Sequence, residues 1–157
     1  MRYYMGQLWR ECLECKTTCC NHEVASRLFV TPEEFKCISE NYPDDMQLFN
    51  SGCLPCSFFT DEHLCRIHAI KPIDCRLFPF DLLVDNGKVF WIIREINCAV
   101  VENEGDFEEY LSDFEENIIP NFEPYLEPYA LFRFEELAEK FSFRVLRELR
   151  IKKSLET

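Results

Sequence analysis

Cysteine spacing is the feature of this sequence that most restricts its fold. Ten cysteines lie within the first 98 of the 157 residues. A first group follows the pattern C-x2-C-x3-C-C and a second follows C-x2-C-x8-C-x9-C. These groups are Cys12, Cys15, Cys19 and Cys20, and then Cys53, Cys56, Cys65 and Cys75. Because a C-x2-C turn directs two thiolates toward one ion, two such pairs with further cysteines nearby are a strong signal of metal binding.

The absence of export and membrane signals in the sequence supports this interpretation of the cysteines. Residues 1–12 contain no apolar run of the length that a signal peptide needs. No stretch approaches the ~18 apolar residues of a membrane span. We therefore expect a cytoplasmic protein that does not bind a membrane. Disulfides are rare in a reducing cytosol, so metal ions are the expected partners of the cysteines.

The charge distribution narrows the range of other partners. The formal net charge is −12, and residues 102–139 carry thirteen acids but only one base, Arg133. Such a surface repels phosphate, which disfavours nucleic acid, whereas another protein is a candidate partner. The four glycines are far apart, so glycine-rich phosphate loops are excluded. Six bases cluster near the end of the chain, where we expect the solvated face of a helix. They are Lys140, Arg144, Arg147, Arg150, Lys152 and Lys153.

Local patterns predict an α+β fold. Thr31-Pro32-Glu33-Glu34 predicts a helix that starts with a capping box and runs to about Asn41. Asp85-Asn86-Gly87 predicts the turn of a hairpin over residues 80–96. Apolar spacing predicts helices near 106–118 and 134–152. We expect a small metal-clamped domain with a β-hairpin, irregular Cys-rich segments and a mostly helical C-terminal third. Residues 1–101 would form the cysteine-cluster metal-binding domain, and residues 102–157 a helical extension packed on the same core.

The adjacent cysteines Cys19 and Cys20 indicate more than one metal ion. Neighbouring side chains usually point in different directions, so two adjacent thiolates match one tetrahedral ion poorly. They are better suited to two ions, or to different irons of one cluster. The alternative is that one of the two is a buried, inert thiol.

These motifs resemble those of the prokaryotic CxxCxxCC cysteine-cluster family, a domain described as chelating zinc or iron. The resemblance covers about residues 12–98 and rests on the first cysteine group, on "CSFF", on "CRIH" and most specifically on "KPIDCRLFPF". The motif is shared with flagellin lysine N-methylase, which is associated with a [4Fe-4S] cluster. Residues 102–157 show no comparable motif.

The resemblance implies a set of metal ligands. Carried over by position, they are Cys12, Cys15, Cys19, Cys20, Cys56, Cys65, Cys75 and Cys98. Cys37 and Cys53 match no family position. His68 stands where the family often has Tyr, and His68 and His22 are further candidate ligands. Arg76 is a candidate cofactor-binding residue, as a charge partner of a thiolate-rich centre or of a substrate carboxylate. The alternative for Arg76 is a structural ion pair with an acid such as Asp74 or Asp81.

Three classes of function follow. The first is a cysteine-ligated metal-binding protein with an iron–sulfur cluster or zinc in a polynuclear or double site, where the irregular spacing favours the cluster. The second, from the resemblance, is an iron–sulfur-dependent methyltransferase that uses S-adenosylmethionine. No sequence motif supports that cofactor and no catalytic motif is present, so enzymatic activity rests on the resemblance alone. The third is a zinc-stabilised protein-interaction module.

Overall fold

The computed structural model describes residues 28–46, 56–58, 60, 65–95, 107–140 and 142–151, with only the backbone described over 134–140. The chain divides into two compact units, Met1–Phe78 and Pro79–Thr157. Within the part of the chain that the structure describes, none of the helices has the length and apolar character needed to cross a bilayer.

The first unit contains helix α1 (Pro32–Asn41), a 3-10 turn (Pro43–Asp45) and the short helix α2 (Ile73–Leu77). The capping box predicted for α1 is confirmed. The Thr31 hydroxyl accepts a hydrogen bond from the Glu34 N–H at 3.2 Å, and the Glu34 carboxylate accepts one from the Thr31 N–H at 3.0 Å. Both backbone groups would otherwise be unsatisfied at the helix start, so this pair of bonds fixes where α1 begins.

The second unit is built on an antiparallel sheet with the strand order β1 (Phe80–Asp85), β2 (Lys88–Arg94), β3 (Phe143–Glu148). The predicted hairpin is confirmed. Its turn places Asn86 at φ 49° and Gly87 at φ 75°, the left-handed conformation that a two-residue hairpin loop requires. The sheet and the helices together confirm the α+β class.

Helices cover both faces of this sheet. Helix α3 (Glu108–Asn117) is followed by α4 (Ile119–Phe122), a 3-10 turn (Glu123–Tyr125) and α5 (Leu126–Lys140). Phe80 and Trp91 contact Phe114 of α3, with ring centroids 5.8 Å apart in each pair. Asp81 contacts Tyr129 of α5. Because consecutive strand residues point to opposite faces, α3 and α5 lie on opposite sides of the sheet.

The prediction of one helix over 134–152 is wrong. Helix α5 ends at Lys140, and β3 pairs with β2 with a register shift between Trp91 and Ile92. The apolar spacing was compatible with a helix, but residues 143–148 also include aromatic Phe143 and β-branched Val145, two residue types that favour strands. As a strand, this segment satisfies the second edge of β2 with backbone hydrogen bonds, which a helix could not do.

The strand also changes the interpretation of the basic residues near the end of the chain. Arg147 was predicted on a solvated helix face, yet it is half-buried. Its guanidinium lies 2.6 Å from a Glu115 carboxylate oxygen and 2.8 Å from a Glu108 carboxylate oxygen. Arg150 also pairs with Glu108, at 2.9 Å. Arg147 and Arg150 therefore neutralise part of the acidic charge of α3.

Candidate metal centre

Three of the eight predicted cysteine ligands lie among the described residues, and all three belong to the first unit. They are Cys56, Cys65 and Cys75, and each is half-buried. The other five lie outside the described residues, as do Cys53 and His22. They are Cys12, Cys15, Cys19, Cys20 and Cys98.

Cys56 and Cys65 pack against one apolar cluster. The cluster consists of Ile38, Met46, Phe58 and Ile67, with Tyr42 and Ile70 also packed against it. The Arg66 N–H donates to the Phe58 carbonyl at 2.9 Å, which joins the two cysteine-bearing segments. The packing brings Cys56 and Cys65 to the same apolar surface, although they are nine positions apart in the sequence. Apolar side chains around soft ligands restrict solvent access, a property that suits a thiolate-ligated metal.

Cys75 lies in the middle of helix α2, and buried neighbours fix that helix in place. Ile73, Asp74 and Leu77 are buried. The Asp74 carboxylate accepts a hydrogen bond from the Phe29 N–H at 2.8 Å, and Glu34 of α1 accepts one from the Ile73 N–H at 2.7 Å. These bonds span 45 and 39 residues, respectively. The two residues before Cys75, Ile73 and Asp74, are therefore each fixed by a hydrogen bond to a residue distant in sequence.

Arg76, the candidate cofactor-binding residue, forms an ion pair with Glu34 at 3.4 Å. The alternative derived from the sequence was an ion pair with an acid such as Asp74 or Asp81. The structure shows an ion pair, but the acid is Glu34 of α1, which lies 42 residues away in the sequence. Local sequence could identify Glu34 as a capping residue but carried no signal for its contacts with α2.

His68 lies in the same turn as Cys65, and its N–H donates to the Cys65 carbonyl at 3.2 Å. Burial lowers the pKa of His68 below its ordinary value of 6.5, and the positive charge of Lys71 lowers it further. The imidazole is therefore neutral at pH 7, the form that can ligate a metal. Lys71 is itself only 8% exposed. The segment that carries Cys65 and Cys75 thus also carries a buried positive charge, for which the local sequence has no signal.

The donor chemistry of these residues matches zinc or iron. Half-buried thiols against apolar side chains, with a neutral imidazole in the same segment, favour soft metals over calcium or magnesium. Among the described residues, no group of three or more His, Cys, Asp or Glu side chains has an arrangement that could hold a metal ion. The described part of the chain therefore shows donors of the expected type but not an assembled centre.

The comparison with protein families agrees with these donors. The family model CxxCxxCC, described as a "Putative zinc- or iron-chelating domain", matches residues 11–104. That range includes all eight predicted cysteine ligands. No curated protein and no solved structure matches the chain. Because the match to the family model covers more than half of the chain, the chain belongs to the CxxCxxCC family.

Proposed function

We propose that this protein binds a polynuclear thiolate-ligated metal centre, and that the centre is an iron–sulfur cluster rather than zinc. The observation that carries the proposal is that Cys56 and Cys65 pack against the same apolar cluster in a member of a chelating family. Adjacent Cys19 and Cys20 favour more than one metal ion over a single tetrahedral site. When bound, an iron–sulfur centre supplies one-electron transfer, whereas a closed zinc site supplies rigidity.

We further propose which residues hold the centre. Cys56, Cys65 and Cys75 are each proposed as ligands, and since they do not form one group of three among the described residues, cysteines outside those residues would complete the coordination. His68 is an additional candidate because its imidazole is neutral and its backbone is bonded to Cys65. The buried charge of Lys71 would offset part of the negative charge that several thiolates bring into a half-buried segment.

Anaerobic purification followed by metal analysis tests the identity of the centre. We expect a coloured protein with visible charge-transfer absorption and comparable amounts of iron and acid-labile sulfide. A colourless protein with stoichiometric zinc and neither iron nor sulfide would replace the cluster with a zinc site. A protein that retains neither metal, and takes up neither on anaerobic reconstitution, would contradict both.

Cysteine variants test the ligand assignment. Cys56→Ser, Cys65→Ser and Cys75→Ser should each lower the metal content of the purified protein, since a serine hydroxyl is a poor ligand for a soft metal. Cys37→Ser is the matched control, because Cys37 is also a half-buried cysteine of the first unit but matches no family position. Equal metal loss in the control and in the three variants would show that metal loss reflects general destabilisation.

A further inference from the structure

One carboxylate joins the start of α1 to the start of α2. Oε2 of Glu34 accepts a hydrogen bond from the Thr31 N–H at 3.0 Å, which completes the capping box of its own helix. Oε1 of the same carboxylate accepts the Ile73 N–H at 2.7 Å and lies 3.4 Å from Nη2 of Arg76. Glu34 therefore accepts a hydrogen bond from a backbone N–H at the N-terminal end of two different helices, at the N-cap residue of α1 and at the first residue of α2.

Helix α2 depends on this kind of support. It has only five residues, and Pro72 at its N-cap provides no side-chain hydrogen bond. An isolated helix of that length is not stable in water, because one turn of hydrogen bonds does not offset the entropy of ordering it. The direction in which α2 presents Cys75 must therefore be set by contacts from outside the helix.

Glu34 supplies two of those contacts, and they flank the cysteine. Ile73 is two positions before Cys75 and Arg76 is one position after it. The side chains of Glu34 and Arg76 are 16% and 21% exposed, so water screens their ion pair only in part. Loss of the Glu34 carboxylate would release both sides of Cys75 at once.

We propose that Glu34 is a positioning residue for Cys75, which it holds in orientation for metal ligation through Ile73 and Arg76. This inference rests on the proposed function, since it treats Cys75 as a ligand. Removal of a group that orients a metal ligand typically lowers metal affinity by about 10- to 100-fold. Removal of an exposed helix residue that contacts no ligand should have a far smaller effect.

Two measurements on the whole 157-residue chain, as purified with its metal, test the proposal. The first is the EDTA concentration that removes half of the bound iron or zinc. The second is the alkylation rate of each cysteine, resolved by peptide mass spectrometry. For Glu34→Ala we expect the EDTA concentration that removes half of the metal to fall by about 10- to 100-fold. Relative to the wild type, the alkylation rate of Cys75 should rise by a larger factor than that of Cys37. Glu34→Gln should fall between wild type and Glu34→Ala, because its amide oxygen can still accept the Ile73 N–H but the charge facing Arg76 is lost.

Glu40→Ala and Thr31→Ala are the controls. Glu40 lies on α1 but makes only an exposed ion pair with Lys36 at 3.8 Å, so this variant should leave both measurements unchanged. Thr31→Ala removes the hydroxyl that caps α1 but leaves the bond from Glu34 to Ile73 in place, so it should destabilise α1 without selective exposure of Cys75.

The outcomes separate this inference from the proposed function. Uniform acceleration of alkylation at Cys37 and Cys75 in Glu34→Ala would mean general destabilisation and would overturn the positioning role, as would wild-type metal retention in that variant. Wild-type metal content in Cys75→Ser would also overturn it, while other thiolates could still bind the centre. A wild-type protein that binds no metal would instead overturn the proposed function.

Discussion

Asp81 of β1 and Arg94 of β2 form an ion pair in which Oδ2 and Nη2 are 2.9 Å apart, with both side chains at most 2% exposed. Arg133 of α5 lies 3.3 Å from the same oxygen. The other carboxylate oxygen accepts hydrogen bonds from the Tyr129 hydroxyl and from the Leu82 N–H. Asp81 therefore connects the hairpin to the helix that covers one face of the sheet.

Removal of the Asp81 carboxylate should strongly destabilise the second unit. In Asp81→Ala, two buried guanidinium groups lose a shared carboxylate, and the loss of one partner of a buried ion pair typically costs about 3–5 kcal/mol. The free energy of unfolding from urea titration, followed by tryptophan fluorescence, measures the effect.

The exposed ion pair between Lys88 and Glu148 provides the control. It also joins neighbouring strands, at 3.2 Å, but its side chains are 61% and 51% exposed. Lys88→Ala should therefore change the free energy of unfolding by no more than about 1 kcal/mol. If Asp81→Ala cost as little as Lys88→Ala, the buried network would not have the role that we assign to it.

The parts of this fold that were predictable from sequence are those that local chemistry determines. Thr31 and Glu34 sit three residues apart, so the capping box could be recognised without knowledge of the rest of the chain. Asn86-Gly87 is likewise a local signal, because only a few residue types accept positive φ. In both places the structure matches the prediction.

The parts that failed depend on residues distant in sequence. Val145 lies in a segment whose sequence is compatible with either a helix or a strand. Backbone pairing with β2, more than fifty residues earlier, makes it a strand. Arg76 pairs with Glu34 rather than with a nearby acid for the same reason. The ligand roles of all eight cysteines, and the domain division at residues 101 and 102, remain predictions.

Gly87→Ala tests the local signal of the hairpin turn. Apart from Gly87 and its two chain neighbours, no residue has an atom within 4 Å of where the added Cβ would be, so a steric clash is not the cost. The cost is the positive φ of 75°, which we expect to destabilise the protein by about 1–2 kcal/mol. Asn86→Gly, at φ 49°, should be tolerated within about 0.5 kcal/mol. Urea titration of both variants checks the prediction, and an equal cost at the two positions would contradict it.

Acid should weaken the second unit through Glu108 and Glu115. The hydrogen bond from Arg147 lowers the pKa of Glu108. Burial alone would raise the pKa of Glu115, but hydrogen bonds from Arg147, the Arg150 N–H and the Trp91 indole outweigh it, so the pKa is also lowered from 4.5. An acid with a lowered folded pKa stabilises the fold fully above its unfolded pKa, and this contribution is lost as the pH falls through the folded value.

The variant Glu115→Gln tests this pH dependence. Its free energy of unfolding should lie below that of the wild type at pH 7, and the gap should close as the pH falls below about 4.5. Asp113 acts in the opposite direction, since burial raises its pKa and its protonation offsets part of the acid loss. Glu127→Gln, at an exposed position, is the control for the replacement of a carboxylate by an amide on the surface. A gap for Glu115→Gln that persisted at low pH would contradict the proposed origin of the stability.

Metal removal should loosen the first unit far more than the hairpin. A metal that binds only the folded state stabilises that state by mass action, so chelation withdraws this stabilisation from the segments that carry the ligands. We expect EDTA treatment to speed amide hydrogen exchange across residues 65–77, where Cys65 and Cys75 lie. The paired residues of β1 and β2 should exchange at unchanged rates, because the buried network around Asp81 holds them without metal.

Hydrogen exchange with peptide mass spectrometry measures both regions in one sample. Equal acceleration in both regions would show that the metal stabilises the whole chain, and unchanged exchange at 65–77 in a protein shown to have lost its metal would show that Cys65 and Cys75 are not ligands.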